Sequence, residues 1–145
     1  MANLSGQLSR YLDGMATRRW QPGVLDCGVF MADWARLVCG CDPIADVRGS
    51  YATVDEYEEI LAREHGLIRS VANRLRAVGY VRTALRPGAG DIAVVQAPYA
   101  QDDRGHILNR PTGAICVAEK LRAVITSDMG VVISELPTLR AYRYA

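Results

Sequence analysis

Trp20-Gln-Pro-Gly-Val-Leu-Asp26-Cys27-Gly28, continuing into Val29-Phe-Met-Ala-Asp33-Trp34-Ala-Arg-Leu-Val-Cys39, reads as a loop that becomes a helix with a cysteine at the junction. Pro22-Gly23 marks the loop, and Asp26 is of the residue type that caps helix starts. Phe30, Trp34, Leu37 and Val38 then share one face. Gly40 reads as the C-terminal cap, and Asp42-Pro43 confirms the stop. The first turn of a helix carries unpaired N–H groups and the positive end of the macrodipole, which both stabilise a thiolate over a thiol. Cysteine nucleophiles sit in such places, but they need a base. The chain offers two histidines, His65 and His106.

Outward from this helix, the first half of the chain is helical and the last third is built of strands. Leu4, Leu8, Tyr11, Leu12 and Met15 repeat at three and four residues and predict a first helix, ended by Gly14 and Thr17-Arg-Arg. Ile44–Ala52 has neither period and reads as an ordered loop. An acidic-start helix follows from Thr53 or Asp55 to Gly66, and Ser70 reads as the cap of another short helix that Gly79 ends. Tyr80–Leu85 is an edge strand or an extended connector. After Pro87-Gly-Ala-Gly-Asp91 the period changes. Strands are expected at Ile92–Gln96, Ala114–Ala118, Leu121–Ser127, Gly130–Leu136 and Leu139–Tyr144. Residues 97–113 between the first two are read as a polar loop too long for a tight hairpin: a lid, a partner-binding loop or an ordered insertion. The expectation is a single α+β domain over 1–145, helical over about 1–79 and sheet over about 80–145.

Composition narrows the function classes. Half of the 145 residues are hydrophobic, and 17 basic residues against 16 acidic ones leave a net charge of +1. That balance gives nucleic acid or an anionic membrane no overall attraction. The N-terminal Met1-Ala-Asn-Leu-Ser-Gly-Gln lacks the pattern of a signal peptide, and no apolar run is long enough to cross a bilayer. Synthesis in a cytoplasm, without export by a leader, is the expectation. Cys27, Cys39, Cys41 and Cys116 read as free thiols rather than a disulfide framework, and their spacing to the two histidines fits no zinc motif. No metal and no cofactor is expected.

A cysteine at a helix start ahead of a sheet is the plan of papain-like hydrolases, in which an imidazole on the sheet deprotonates the thiol. Trp20, Asp26-Cys27-Gly28 and Pro87-Gly-Ala-Gly-Asp91-Ile-Ala-Val-Val resemble the NlpC-type cell-wall peptidases of that superfamily. A more specific resemblance is to a group of small phage and prophage tail-module proteins. It is carried by Trp20, Asp26-Cys27, Phe30, Ala32-Asp33-Trp34, Gly40-Cys41-Asp42-Pro43, Arg48-Gly49-Ser50-Tyr51 and Gly90-Asp91, in that order. The resemblance implies a papain-like NlpC-type domain in a tail tip or baseplate hub. Its partners would be other hub proteins, with peptidoglycan as a possible target. Its location would be the virion, after synthesis in the host cytoplasm.

One departure bears on activity. Where the peptidase family carries His-Val-Gly at the start of the second strand, this chain reads Thr112-Gly113-Ala114-Ile115. His106, seven residues before Gly113, is the candidate replacement base for Cys27, whereas His65 reads as a helix C-terminal residue. The remaining motif residues read as structural. Asp26 is the cap, Trp34 is core with an indole N–H that needs a partner, and Asp33 pairs with Arg48. Arg48 and Tyr51 tie their loop to the helix. The reading is a tail-tip or baseplate-hub structural component whose peptidase chemistry is lost; the alternatives are an active cysteine peptidase or amidase that cuts peptidoglycan during genome delivery, and a free binding module unrelated to tails.

Overall fold

The computed structural model describes residues 3–83 and 86–145. Met1 and Ala2 of the N-terminal segment, and Ala84 and Leu85 at the end of the Tyr80–Leu85 stretch, lie outside the described residues. Four helices precede a six-stranded antiparallel sheet, an α+β arrangement.

Helix α1 (Leu4–Met15) begins where the Asn3 side chain accepts the Ser5 N–H at 3.0 Å, and its stripe buries Leu8, Tyr11 and Met15. Gly14 lies inside the helix rather than ending it; one glycine near a terminus costs too little to break a helix whose far face is packed. Helix α2 (Cys27–Cys39) ends as expected at Gly40, whose φ of 77° is the left-handed conformation open to glycine. Tyr11 joins the two helices by donating to the Phe30 carbonyl at 2.6 Å. Trp34, fully buried, sends its indole N–H to the Gly90 carbonyl at 2.8 Å, so the core of α2 is bonded to the turn that opens the sheet.

Helix α3 (Val54–Arg63) is capped by Thr53, which accepts the Glu56 N–H at 3.1 Å. Helix α4 (Leu67–Ala77) starts earlier than the serine signal suggests. Gly66 holds the cap position, and Ser70 lies within the helix, donating to Glu64 at 2.7 Å. A serine that bonds back to a carboxylate in the preceding turn has the same local sequence as a cap. Arg74 of α4 then fastens three segments. It meets Glu64 at 2.6 Å and Asp46 at 2.6 Å, and donates to the Pro43 carbonyl at 3.0 Å.

The strands are β1 (Tyr80–Arg82), β2 (Ile92–Gln101), β3 (Ile107–Cys116), β4 (Leu121–Thr126), β5 (Gly130–Glu135) and β6 (Thr138–Tyr144), ordered β1-β6-β2-β3-β4-β5. One face, with Ile92, Val94, Ile115, Ile125 and Tyr142, packs on the helices. The other carries mainly small residues: Ala93, Ala97, Ala114, Cys116 and Ala141, with Val95 and Val124. Arg122 of β4, 4% exposed, crosses that face to reach Thr138 Oγ1 of β6 at 2.9 Å. Those strands are not neighbours, so the sheet curls toward its small-residue face.

Residues 97–113 are not a loop. β2 and β3 continue through them as a projecting hairpin, paired from Ala97↔Arg110 to Gln101↔Ile107 and closed by the turn at 102–106. The polar, proline-bearing sequence hides these strands because beyond Ala97 both faces are solvated, which leaves no apolar alternation to read. Both prolines sit at outward-facing positions. Gln96, paired with Pro111, sends its N–H away from β3 to Pro137 of β6, and Pro98 shares that phase. Pro98 and Pro111 therefore occupy places where an N–H would have pointed off the free edges of the arm.

In the fold, Arg74 holds the carboxyls of Glu64 and Asp46 below their ordinary range. Their contribution is complete above the unfolded carboxyl values of about 4 and is lost as pH falls through the lower folded ones. Arg74→Ala is expected to lower unfolding free energy by about 2 kcal/mol at neutral pH. The gap from the unsubstituted protein should close on acidification below about pH 4, as read by urea titrations at stepped pH.

Candidate functional site

The N-terminus of α2 is built around a buried carboxylate. Asp26, 1% exposed, accepts the Val29 N–H at 2.9 Å as the helix cap, the Gly23 N–H at 2.9 Å and the Tyr51 hydroxyl at 2.5 Å. Burial, and next the bond to Asp26, raise the Tyr51 pKa well beyond the ordinary phenol value, so Tyr51 stays a neutral donor. Gly23 is required on two counts: its φ is 79°, and a side chain there would run into the Tyr51 carbonyl. Trp20, half-buried, packs on the main core beside this loop.

Cys27 follows directly, at the first helical position. Its sulfur lies 3.2 Å from the Tyr57 hydroxyl and receives the Gly113 N–H from the outer edge of β3. The residue is half-buried, but burial of the thiol raises its pKa above the ordinary value, outweighing the lowering by these two hydrogen bonds. Near neutral pH it is a thiol. Burial acts likewise on Cys116, pushed up to about 11.

No imidazole stands among the polar partners of the sulfur. The β3 position that faces Cys27 is Gly113; Thr112 alternates to the other face, and its hydroxyl turns to the Arg110 carbonyl at 3.2 Å. A side chain on residue 113 would overlap the terminal methyl and sulfur of Met31, one turn along α2 from Cys27. Met31 thus fills the space that a base on this strand would need. His106 sits at the tip of the arm with 70% of its side chain exposed, its Nδ1 3.1 Å from Asp102. Seven residues of extended chain separate it from Gly113, roughly 20 Å, so the structure does not bring His106 to Cys27. His65 lies in the turn between α3 and α4, at a φ of 65°, against a different groove.

The other motif residues form the frame of this corner. Arg48 bridges Asp33 of α2 at 2.8 Å and Asp42 at 2.7 Å, closing the 42–51 loop onto the helix. Asp91, 3% exposed, accepts from Arg143 of β6 at 2.7 Å and from the Gly88 N–H at 2.8 Å. The sequence gives Tyr57 and Met31 no role at the site, and it marks Gly113 only as part of the stretch where a histidine is expected. A tyrosine set on the apolar side of an otherwise acidic helix was the one available signal. The cavity flanking Cys27, among Gly28, Tyr57 and the α3–α4 pair, measures about 50 Å³. That admits a few waters, well short of the several hundred Å³ typical of ligand pockets. Among the described residues no three His, Cys, Asp or Glu side chains converge as metal ligands, and no helix is long and apolar enough to cross a membrane.

Residues 1–144 match the family model described as "Domain of unknown function (DUF6950)". No curated protein and no solved structure matches the chain.

Two outcomes test the site. In a Cys39→Ser, Cys41→Ser background, alkylation of Cys27 should titrate above the ordinary thiol range. Tyr57→Phe removes a bond that favours the thiolate, so it should move the titration higher still. Gly113→Ala should destabilise by about 1–3 kcal/mol through overpacking, and Met31→Ala in the same chain should recover part of that loss in thermal melts.

Proposed function

The chain belongs to the DUF6950 family, and we propose that it is a papain-like, NlpC-type domain that no longer hydrolyses, working as a structural component of a tailed-phage tail tip or baseplate hub. The observation that carries the loss of chemistry is Gly113 set against the Cys27 sulfur with Met31 filling the adjoining space. A general base must come within hydrogen-bond reach of the proton it takes. The strand position that would present one has no side chain and no room for one. Removal of one triad member commonly costs several powers of ten in turnover. The buried, protonated thiol then serves packing and a hydrogen bond to Tyr57.

The architecture is supported by order and placement. A cysteine opens the helix that packs on an antiparallel sheet, and the strand beside it lends its edge to the sulfur. The tail assignment rests on the motif series from Trp20 to Gly90-Asp91. Among those residues, the Asp33–Arg48 and Asp26–Tyr51 pairs tie the loop after α2 back onto that helix. The projecting β2–β3 arm, with Tyr99, Ile107 and Leu108 exposed, is the element we assign to docking on neighbouring hub proteins.

Two measurements test this reading. Purified protein incubated with peptidoglycan should release no peptides above a Cys27→Ala control; cysteine-dependent release would restore the peptidase reading. Antibody labelling of particles from the encoding phage or prophage should place the protein at the tail tip under electron microscopy, and its absence from particles would refute the structural role.

A further inference from the structure

Away from the cysteine, the outer face of α4 and the β1–β6 edge of the sheet enclose an open groove of about 810 Å³. Its charged lining is entirely cationic in type: Arg69 and Arg76 of α4, Arg82 of β1 and Arg140 of β6, with His65 at one end and no carboxylate. Among the described residues none of these four arginines has a carboxylate within 4.0 Å, in contrast to Arg48, Arg74 and Arg143. Arg69 and Arg76 stand two turns apart on one face of the helix, about 10 Å along its axis. The arrangement suits a partner bearing several carboxylates, because the guanidinium fork pairs with them in two-bond geometry.

The same chain carries a matching surface. On α3, Asp55, Glu58 and Glu59 fall at i, i+3 and i+4, so they form one acidic face. All three are exposed, and none has an ion-pair partner among the described residues. Glu56 is set apart from them, since its carboxylate accepts from Thr53 and the Ala52 N–H.

We propose that the arginine groove receives the acidic face of α3 from a second copy of this chain. Groove and acidic face are different surfaces, so the contact either closes reciprocally, each groove taking the partner's α3, or repeats head-to-tail into a ring or filament. A long polyanion such as nucleic acid fits less well: the net charge is only +1, and the acidic α3 face would repel a strand extending beyond the groove. This contact does not depend on whether Cys27 is reactive.

Sedimentation velocity over a concentration series tests the proposal. The unsubstituted protein should associate at low ionic strength and dissociate at about 1 M salt, where the screening length is roughly 3 Å. The pair Arg69→Glu with Arg76→Glu, and separately Glu58→Arg with Glu59→Arg, should each weaken association roughly tenfold or more. An equimolar mixture of the two variants should associate again, which also shows that both are folded. A protein that stays monomeric at every concentration at low salt overturns the proposal, as does a groove variant that associates like the original. So does a mixture that fails to associate although both variants melt cooperatively. Binding of a labelled single-stranded oligonucleotide that Arg69→Glu with Arg76→Glu abolishes, without self-association, would instead make nucleic acid the occupant.

Discussion

The corner of the molecule that bears the cysteine depends on one buried carboxylate. Desolvating Asp26 costs several kcal/mol, and the three donors around it offset that cost only if all are present together. Charge-assisted hydrogen bonds contribute about 1.5–3 kcal/mol each. Each donor comes from a different segment: Val29 from the helix, Gly23 from the entry loop and Tyr51 from the loop after α2. Asp26 therefore fixes where α2 begins, how the chain approaches it and where the 42–51 loop returns. The position of Cys27 follows, being the next residue in the chain.

Around that anchor the loop is fastened again from outside. Arg48 ties it to Asp33 and Asp42, and Arg74 ties its middle to α4. The resulting frame packs closely around the N-terminus of α2. It spends its polar groups on one another. Tyr57 and Gly113 close over the sulfur within the same frame, so the burial of the thiol and the small size of the cavity beside it have a common origin in packing.

Legibility in the sequence followed the range of each interaction. The α2 boundaries, the Asp26 cap, the Gly40 stop and the Asp33–Arg48 pairing were readable because capping chemistry is local and the arginine lies on the loop that follows the helix bearing the carboxylate. Ser70 was misread because its partner Glu64 precedes the helix, a bond that imitates a cap. The arm was misread because solvated strands carry no period. The relation of Met31 to Gly113 was illegible, since it depends on contact between residues far apart in the chain, and a glycine gives no sign of what occupies the space it leaves. The pairing of α4 with β1 and β6, which creates the arginine groove, was hidden for the same reason.

The prolines on the two edges of the arm govern how that element can change. A two-stranded ribbon that projects into solvent is an invitation to strand addition and aggregation. Pro98 and Pro111 each remove one outward N–H that such addition would use. With backbone pairing weakened at these two positions, recognition by the arm falls more to side chains near its tip, such as Tyr99 under the Arg110 guanidinium, Ile107 and Leu108. Those residues bear little of the core, so they are free to diverge between related chains at small cost in stability. Under the docking role proposed for it, the arm is the element where partner specificity can change while the cysteine corner is left intact.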